Sequence, residues 1–326
     1  IIRPALLAGG PVCRPRMKEL LMKFGAQVSA YRTSWDDIRP VVETMDAGRW
    51  SSVWFADHFV PPNRPRSMEP QPAYEAFALA AAVASMTETL RIGHLVLGNT
   101  YRNPALVAKI SGSIDHISHG RFVLGIGAAW FQREHEAYGW DFPSMKERQD
   151  RFQEAMQLLR ALFHAEEPVD FRGEYYQLDQ ASLSPGSFDT PIPILVGGTG
   201  EKRTLRTLAM YGDMLNLDGW AGQGVSGELL RHKMSVVEKH CADVGRDPAE
   251  ITPTVMVPVR LTDDDETAKR FVEAIGPNTV AGSADYVVQR VGELIDADAQ
   301  EIMFGLLYNT PDDFQALDEE VLAHFD

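Results

Sequence analysis

Residues 191–213, PIPILVGGTGEKRTLRTLAMYGD, decide the fold. Ile192–Val196 is a short apolar run bounded by proline and glycine, the composition of a buried strand. Gly197, Gly198, Thr199 and Gly200 make a turn, and from Glu201 to Tyr211 the apolar residues recur at helical spacing. Asp213–Leu217 then opens a second apolar run. Strand, glycine turn, helix and strand, with no hairpin signal between the strands, is the pattern of a parallel sheet with helices packed outside it.

The same unit recurs in both directions. Strands are expected at Phe24–Ser29, Ser52–Ala56, Leu90–Leu97, Arg121–Gly127, Ile192–Val196, Asp213–Leu217, Thr252–Leu261 and Glu301–Leu307. Helical patterns lie between them at Trp35–Ala47, Tyr74–Thr87, Ala105–Ile117, Met145–Phe163, Glu201–Tyr211, Gly227–Val244, Asp264–Ala274 with Ala284–Ile295, and Pro311–Phe325. About eight strand-helix units predict an α/β fold of the (β/α)8 barrel type with insertions, with a doubly wound sheet as the alternative. Ser34 is placed to cap the first helix through its hydroxyl, and Pro104 suits a first helical turn, where its missing donor costs nothing. The stretch EEPVDFRGEYYQLDQA reads as an inserted hairpin turning at Arg172-Gly173. Val60–Ala73 and Gly219–Ser226 are long irregular segments of the kind used as binding loops. Residues 1–22 are read as an N-terminal extension and 23–326 as one barrel domain.

The bulk numbers narrow the function. A formal charge of −15 on 326 residues repels polyanions, so nucleic acid is a poor partner. No run approaches the roughly 18–20 apolar residues that span a bilayer. Cys13 and Cys241 stand far apart with no metal spacing, which fits ordinary thiols in a reducing cytoplasm.

In a barrel the catalytic groups gather where the strands end at their C-terminal side. The second strand runs into FADHF, residues 55–59. Strand alternation sends Ala56 and His58 to one side and Asp57 to the other, so the two polar groups are expected to diverge. Asp57 could simply fix the following loop, while His58, titrating near neutrality, suits proton transfer beside a redox cofactor. The fourth strand ends VLGIGAAW, in which Gly125 and Gly127 imitate a dinucleotide fingerprint but Trp130 takes the third glycine's place. Its small residues, Gly127 to Ala129, would let a flat ring approach the backbone, with Trp130 shaping the pocket. The Gly197–Gly200 turn at a helix start suits a phosphate, with Lys202, Arg203 and Arg206 as local cations. A ligand-free glycine turn is the plain alternative. His116 and His119 lie at a helix end on the far face, where histidine serves as a favourable cation. With no Cys/His cluster, no metal site is expected.

Taken together, FADHF, RIGHLVLGNTYRNPALVAKISGSIDHISHGRFVLGIGAAW, FPSMKERQDRFQEAMQLLRALF and PIPILVGGTGEKRTLRTLAMYGD resemble the bacterial luciferase-like oxidoreductases from about Lys23 onward. The resemblance implies a (β/α)8 barrel that binds FMN or the deazaflavin coenzyme F420 at its mouth. Asp57 and His58 match the pair beside the ring, and Leu95–Asn99 matches the segment beneath it, where members have a non-proline cis peptide, here assigned to Leu95-Val96. Leu95, Val96, Asn99, Gly127 and Ala128 would line the cofactor. Gly197, Gly198, Thr199, Gly200 and Arg203 would hold its phosphate. The block from Gly125 to Phe152 favours the F420 branch.

Where sugar-phosphate dehydrogenases of the family have two catalytic glutamates, this chain has Tyr31 and Trp130, and a tryptophan of the second-strand loop is replaced near Pro62. Glucose-6-phosphate is therefore not the expected substrate, and Tyr31 and Trp130 join His58 and Asp57 as candidate catalytic residues. The leading expectation is hydride transfer between F420 and a small organic substrate. An FMN monooxygenase fed by a partner reductase, and a non-catalytic flavin-binding relative, are the alternatives. The family also implies a homodimer.

Overall fold

The computed structural model describes residues 22–62, 71–221, 224–306 and 310–325. Its strands are β1 (Lys23–Gln27), β2 (Ser52–Phe55), β3 (Arg91–His94), β4 (Leu97–Gly98), β5 (Phe122–Gly127), β6 (Val169–Arg172), β7 (Gln177–Ala181), β8 (Ile194–Gly197), β9 (Met214–Asp218), β10 (Thr252–Leu261), β11 (Val280–Gly282) and β12 (Glu301–Gly305). The order β12-β1-β2-β3-β5-β8-β9 is completed by parallel pairing of β10 with both β9 and β12. Eight parallel strands thus close on themselves, as the repeated unit predicts. Closure removes the edges of the eight-stranded cylinder itself, with the short β11 added outside β10 and β6–β7 forming a separate hairpin.

The helices that cover this cylinder are α1 (Trp35–Ala47), α2 (Ala76–Met86), α3 (Pro104–Ile117), α4 (Gln132–Tyr138), α5 (Met145–Phe163), α6 (Thr204–Tyr211), α7 (Gly227–Val244), α8 (Asp265–Ile275), α9 (Ala284–Ile295) and α10 (Pro311–Glu320). Ser34 caps α1 in a reciprocal box with Asp37: the Asp37 amide donates to Ser34 Oγ at 3.2 Å and the Ser34 amide to Asp37 Oδ2 at 3.0 Å. Pro104 occupies the first turn of α3. Gly173 donates its amide to the Tyr176 carbonyl at 3.0 Å, closing the expected hairpin of β6 and β7. No helix among the described residues is long and apolar enough to cross a membrane.

Two apolar layers result. Trp54, Leu95, Val123, Leu195, Met214, Met256 and Met303 fill the cylinder, while a larger layer lies between the strands and the helices. Trp54 dominates the interior: a Cβ on Gly93 would come within 2.3 Å of its ring, so only glycine fits beneath it. Its indole donates to Ser52 Oγ at 2.7 Å, which donates at 2.5 Å to Glu301, itself paired with Arg91 at 2.5 Å. Polar groups buried this deeply are tolerated because they satisfy one another. They close the end of the cylinder opposite the site.

Three features differ from the sequence reading. The fifth-unit helix starts at Thr204, and Glu201–Arg203 form a turn instead of its first residues. The third strand breaks after His94 and resumes as β4, which pairs with β5. Helix α4 lies in a segment for which the sequence reading names no element. The proposed extension at 1–22 falls outside the described residues except for Met22, as does most of the proline-rich stretch after Pro62.

Candidate active site

The ends of β1, β2, β3, β5 and β9 converge on one opening. Asp57 and His58 do diverge there. Asp57 is buried and meets Arg102 through two bonds of 2.8 Å, and it accepts the Gly98 amide at 3.1 Å. Arg102 also pairs with Glu75 and lies over the rings of Phe59 and Phe77. Burial alone would lower the guanidinium's pKa, but its two carboxylates more than offset this and hold it above its usual range. Asp57 therefore fastens the segment after β3 to the end of β2, while the loop that follows it, expected to be its charge, is held through Glu134 instead.

His58 turns to the other side and finds a different carboxylate. Its Nδ1 lies 2.9 Å from Glu134 Oε2. Glu134, on α4 and fully buried, also accepts the Phe59 amide at 2.5 Å, the Val60 amide at 3.1 Å and the Tyr101 hydroxyl at 2.6 Å. A carboxylate can only accept, so Nδ1 carries a proton toward Glu134 and neutral His58 keeps its lone pair on Nε2. Tyr31, Trp130 and Phe131 surround the imidazole at ring-centroid distances of 6.1, 5.5 and 5.6 Å. Trp130 is 60% exposed, stacked on Phe131, and forms an open wall. The Tyr31 hydroxyl is buried near the His58 amide, yet no described group meets it at hydrogen-bonding geometry. Burial, then the charges of Asp57 and Glu134, push its pKa well up, so it remains a neutral donor.

The Leu95-Val96 peptide is cis, at the position assigned from the resemblance. Val96 sits against two glycines. A Cβ on Gly197 would come within 2.4 Å of Val96 Cγ2, and one on Gly127 within 3.3 Å. Gly125 admits the His94 carbonyl, which an added Cβ would meet at 1.7 Å. These glycines thus let β5 and β8 approach the break in β3, and the dinucleotide fingerprint is not what they serve. Asn99 donates its amide to the Gly127 carbonyl at 2.9 Å, and its side chain reaches the Tyr176 hydroxyl at 3.4 Å. Ala128 follows, half-buried.

Gly198, with φ of +99°, and Gly200 are exposed at the head of α6, half-buried Thr199 between them. No side chain caps α6, and an added Cβ at Gly198 would touch only Thr204, at 3.5 Å. This cradle suits an anionic group. Arg203 is less available than expected, because it pairs with Asp150 and donates to the Lys146 carbonyl at 3.3 Å. Arg206 faces Asp243 at 3.6 Å. His116 and His119 lie edge-on to Phe188, and no metal-binding group of acids, histidines or cysteines occurs among the described residues.

Sequence reasoning missed Glu134, Arg102, Gln27, Asp218 and Trp220. Phe131, His135 and Tyr138 fall at i, i+4 and i+7 ahead of Gly139, which caps α4 with φ of +71°, so a short helix was signalled. That helix places Glu134.

A closed barrel with a glycine-backed shelf, a bare helix start and an acid-steadied histidine at one mouth defines the class: the chain belongs to the luciferase-like monooxygenase family, whose model matches residues 20–307. It is an oxidoreductase of that family. Among its relatives, an F420-dependent glucose-6-phosphate dehydrogenase of Amycolatopsis mediterranei (strain U-32) is 27% identical over 279 residues, 84% of this chain and 80% of that protein. A protein of the same description from Intrasporangium calvum is 35% identical, over 46% of this chain and 44% of its own. Of solved structures, an F420-dependent secondary alcohol dehydrogenase in complex with an F420-acetone adduct superposes with a TM-score of 0.78 at 21% identity, covering 94% of this chain and 99% of that one. The monooxygenase RslO1 from Streptomyces bottropensis gives 0.74 at 18%, covering 94% and 100%. At those identities the structural likeness is one of fold.

Proposed function

We propose that the protein is an F420-dependent oxidoreductase that transfers hydride between the deazaflavin and a small organic substrate. The observation that carries the reading is the similarity to an F420-dependent dehydrogenase over 84% of the chain. The residues present fit the cofactor: Leu95-Val96, seated against Gly127 and Gly197, offers a flat backing, and the Gly197–Gly200 turn with the uncapped start of α6 offers a phosphate cradle.

When bound, the deazaflavin supplies a two-electron hydride acceptor or donor. The chain does the rest. His58 Nε2 takes the proton of a substrate hydroxyl in oxidation, or returns it in reduction, while Glu134 holds Nδ1 and steadies the imidazolium that forms. Tyr31 donates toward the reacting oxygen, and Trp130 and Phe131 keep water from one side. Tyr31 and Trp130 make the substrate wall aromatic, which favours a substrate other than a sugar phosphate.

The monooxygenase description of the family favours a second reading, in which reduced FMN from a partner reductase reacts with oxygen. Parallel titrations with F420 and with FMN, followed by ligand fluorescence, separate the two. F420 binding tighter than FMN, and weakened by Gly198→Val, is expected; binding of FMN alone, with oxygen consumption, refutes the proposal, and tight binding without turnover over a broad substrate panel leaves only a cofactor carrier. A homodimer acting in the cytoplasm is part of the proposal, supported by the resemblance and by the buried free thiol of Cys241.

A further inference from the structure

Among the described residues, one acid at the mouth has incomplete partners. Asp218 ends β9, in register with Met256 of β10. Its Oδ1 accepts the Trp220 amide at 2.8 Å, and among the described residues nothing donates to Oδ2. The neighbouring acids differ: Asp57 is matched by Arg102 and Glu134 by four donors. Asp218 stands at the C-terminal end of β9, the end of the cylinder at which β2 runs on into His58, and burial raises its carboxyl pKa while the Trp220 amide and then His58 draw it back. Trp220 Nε1 donates to Gln27 Oε1 at 2.8 Å, and Gln27 Nε2 to the Leu95 carbonyl at 3.0 Å. That chain of bonds ties the end of β9 to the ends of β1 and β3, and so to the shelf beside His58.

A carboxylate oxygen left without a donor is matched by a cation with hydrogen to donate. Resting on the hydride-transfer reading above, we propose that Asp218 anchors a protonated amine on an otherwise apolar substrate, so that the enzyme acts on small amine-bearing molecules in preference to phosphorylated or carboxylated ones. An ammonium gives Oδ2 its missing donor in a charge-assisted hydrogen bond, while the exposed Trp130 beside His58 leaves the rest of the substrate an apolar wall. A phosphate or carboxylate there would set charge against like charge. The buried Tyr31 hydroxyl, which lacks an acceptor, receives the reacting oxygen beside His58. Two groups thus read the two polar ends of the substrate.

The test uses benzylamine, benzyl alcohol and benzoate, which share one ring and differ in the group offered. F420 binding is measured first. Each probe is then titrated calorimetrically into protein saturated with oxidised F420. Benzylamine is expected to bind about tenfold or more tighter than the other two. In Asp218→Asn, which still accepts the Trp220 amide, that preference is expected to vanish with F420 affinity unchanged. Equal binding of benzylamine and benzoate by the wild type, or a preference that survives in Asp218→Asn, overturns the proposal, and the wild-type ranking decides alone should the variant not fold. If F420 does not bind, the cofactor reading fails separately, and the same titrations on cofactor-free protein still judge Asp218.

Discussion

His94 ties the stability of the site to pH. It ends β3, immediately before the cis peptide, fully buried and edge-on between Phe77 and Phe122 at 4.7 and 5.4 Å. Neither ring nitrogen has a hydrogen-bond partner in this packing, although the Ala76 backbone lies near. Burial depresses its pKa from 6.5 to about 4, with Asp57 opposing and Arg102 adding to the effect. Between those values the unfolded chain binds a proton that the folded chain refuses, so stability falls as pH falls, and the loss levels off below the folded value. At about 1.4 kcal/mol per pH unit, lowering the pH from 7 to 5 removes roughly 2 kcal/mol through this one residue. His94→Leu keeps most of the volume and cannot titrate. Urea unfolding of both proteins at pH 7 and pH 5 isolates the effect from other groups. The wild type should lose about 2 kcal/mol more than the variant over that interval. Parallel losses would show that the imidazole is protonated in place or reached by water, and would refute the argument.

The remaining predictions concern the mouth. Glu134→Gln presents an amide N-H to His58 Nδ1, moves the ring proton to Nε2 and removes the base; kcat should fall about a hundredfold with F420 affinity retained, as steady-state kinetics beside a binding titration would reveal. Arg102→Met leaves Asp57 buried without its cation and should cost about 3–5 kcal/mol in chemical denaturation; a loss under 1 would mean that water reaches the pair. Gly197→Ala drives a methyl into Val96 and should weaken F420 binding about tenfold while the far-ultraviolet circular dichroism stays native.

Much of the barrel was legible because its signals are local. Each strand is a short apolar run, and each helix carries its own period and often its cap, so Ser34, Pro104 and the hairpin turn all stand where the residues indicated. The divergence of Asp57 and His58 followed from strand alternation alone. What stayed hidden depends on contacts distant in sequence. Glu134 lies 76 positions from His58, and Arg102 lies 45 from Asp57; nothing in either neighbourhood names the other. Gly125 looked like part of a dinucleotide fingerprint and Gly197 like part of a phosphate turn, and only packing shows that they also admit the His94 carbonyl and Val96. Arg203 looked free because its partner, Asp150, lies on another helix. Asp218 falls just beyond the strand expected at Asp213–Leu217, and its incomplete pairing emerges only once the other acids have been paired.

Trp54 and the bonded Ser52, Glu301 and Arg91 stopper the cylinder from below, so among the described residues the way in is from the opposite end. Whatever enters first lies deepest and must wait for later arrivals to depart. A ring resting on the Leu95-Val96 shelf would be covered by the molecule above it, and the small product would then have to leave before the large coenzyme could follow.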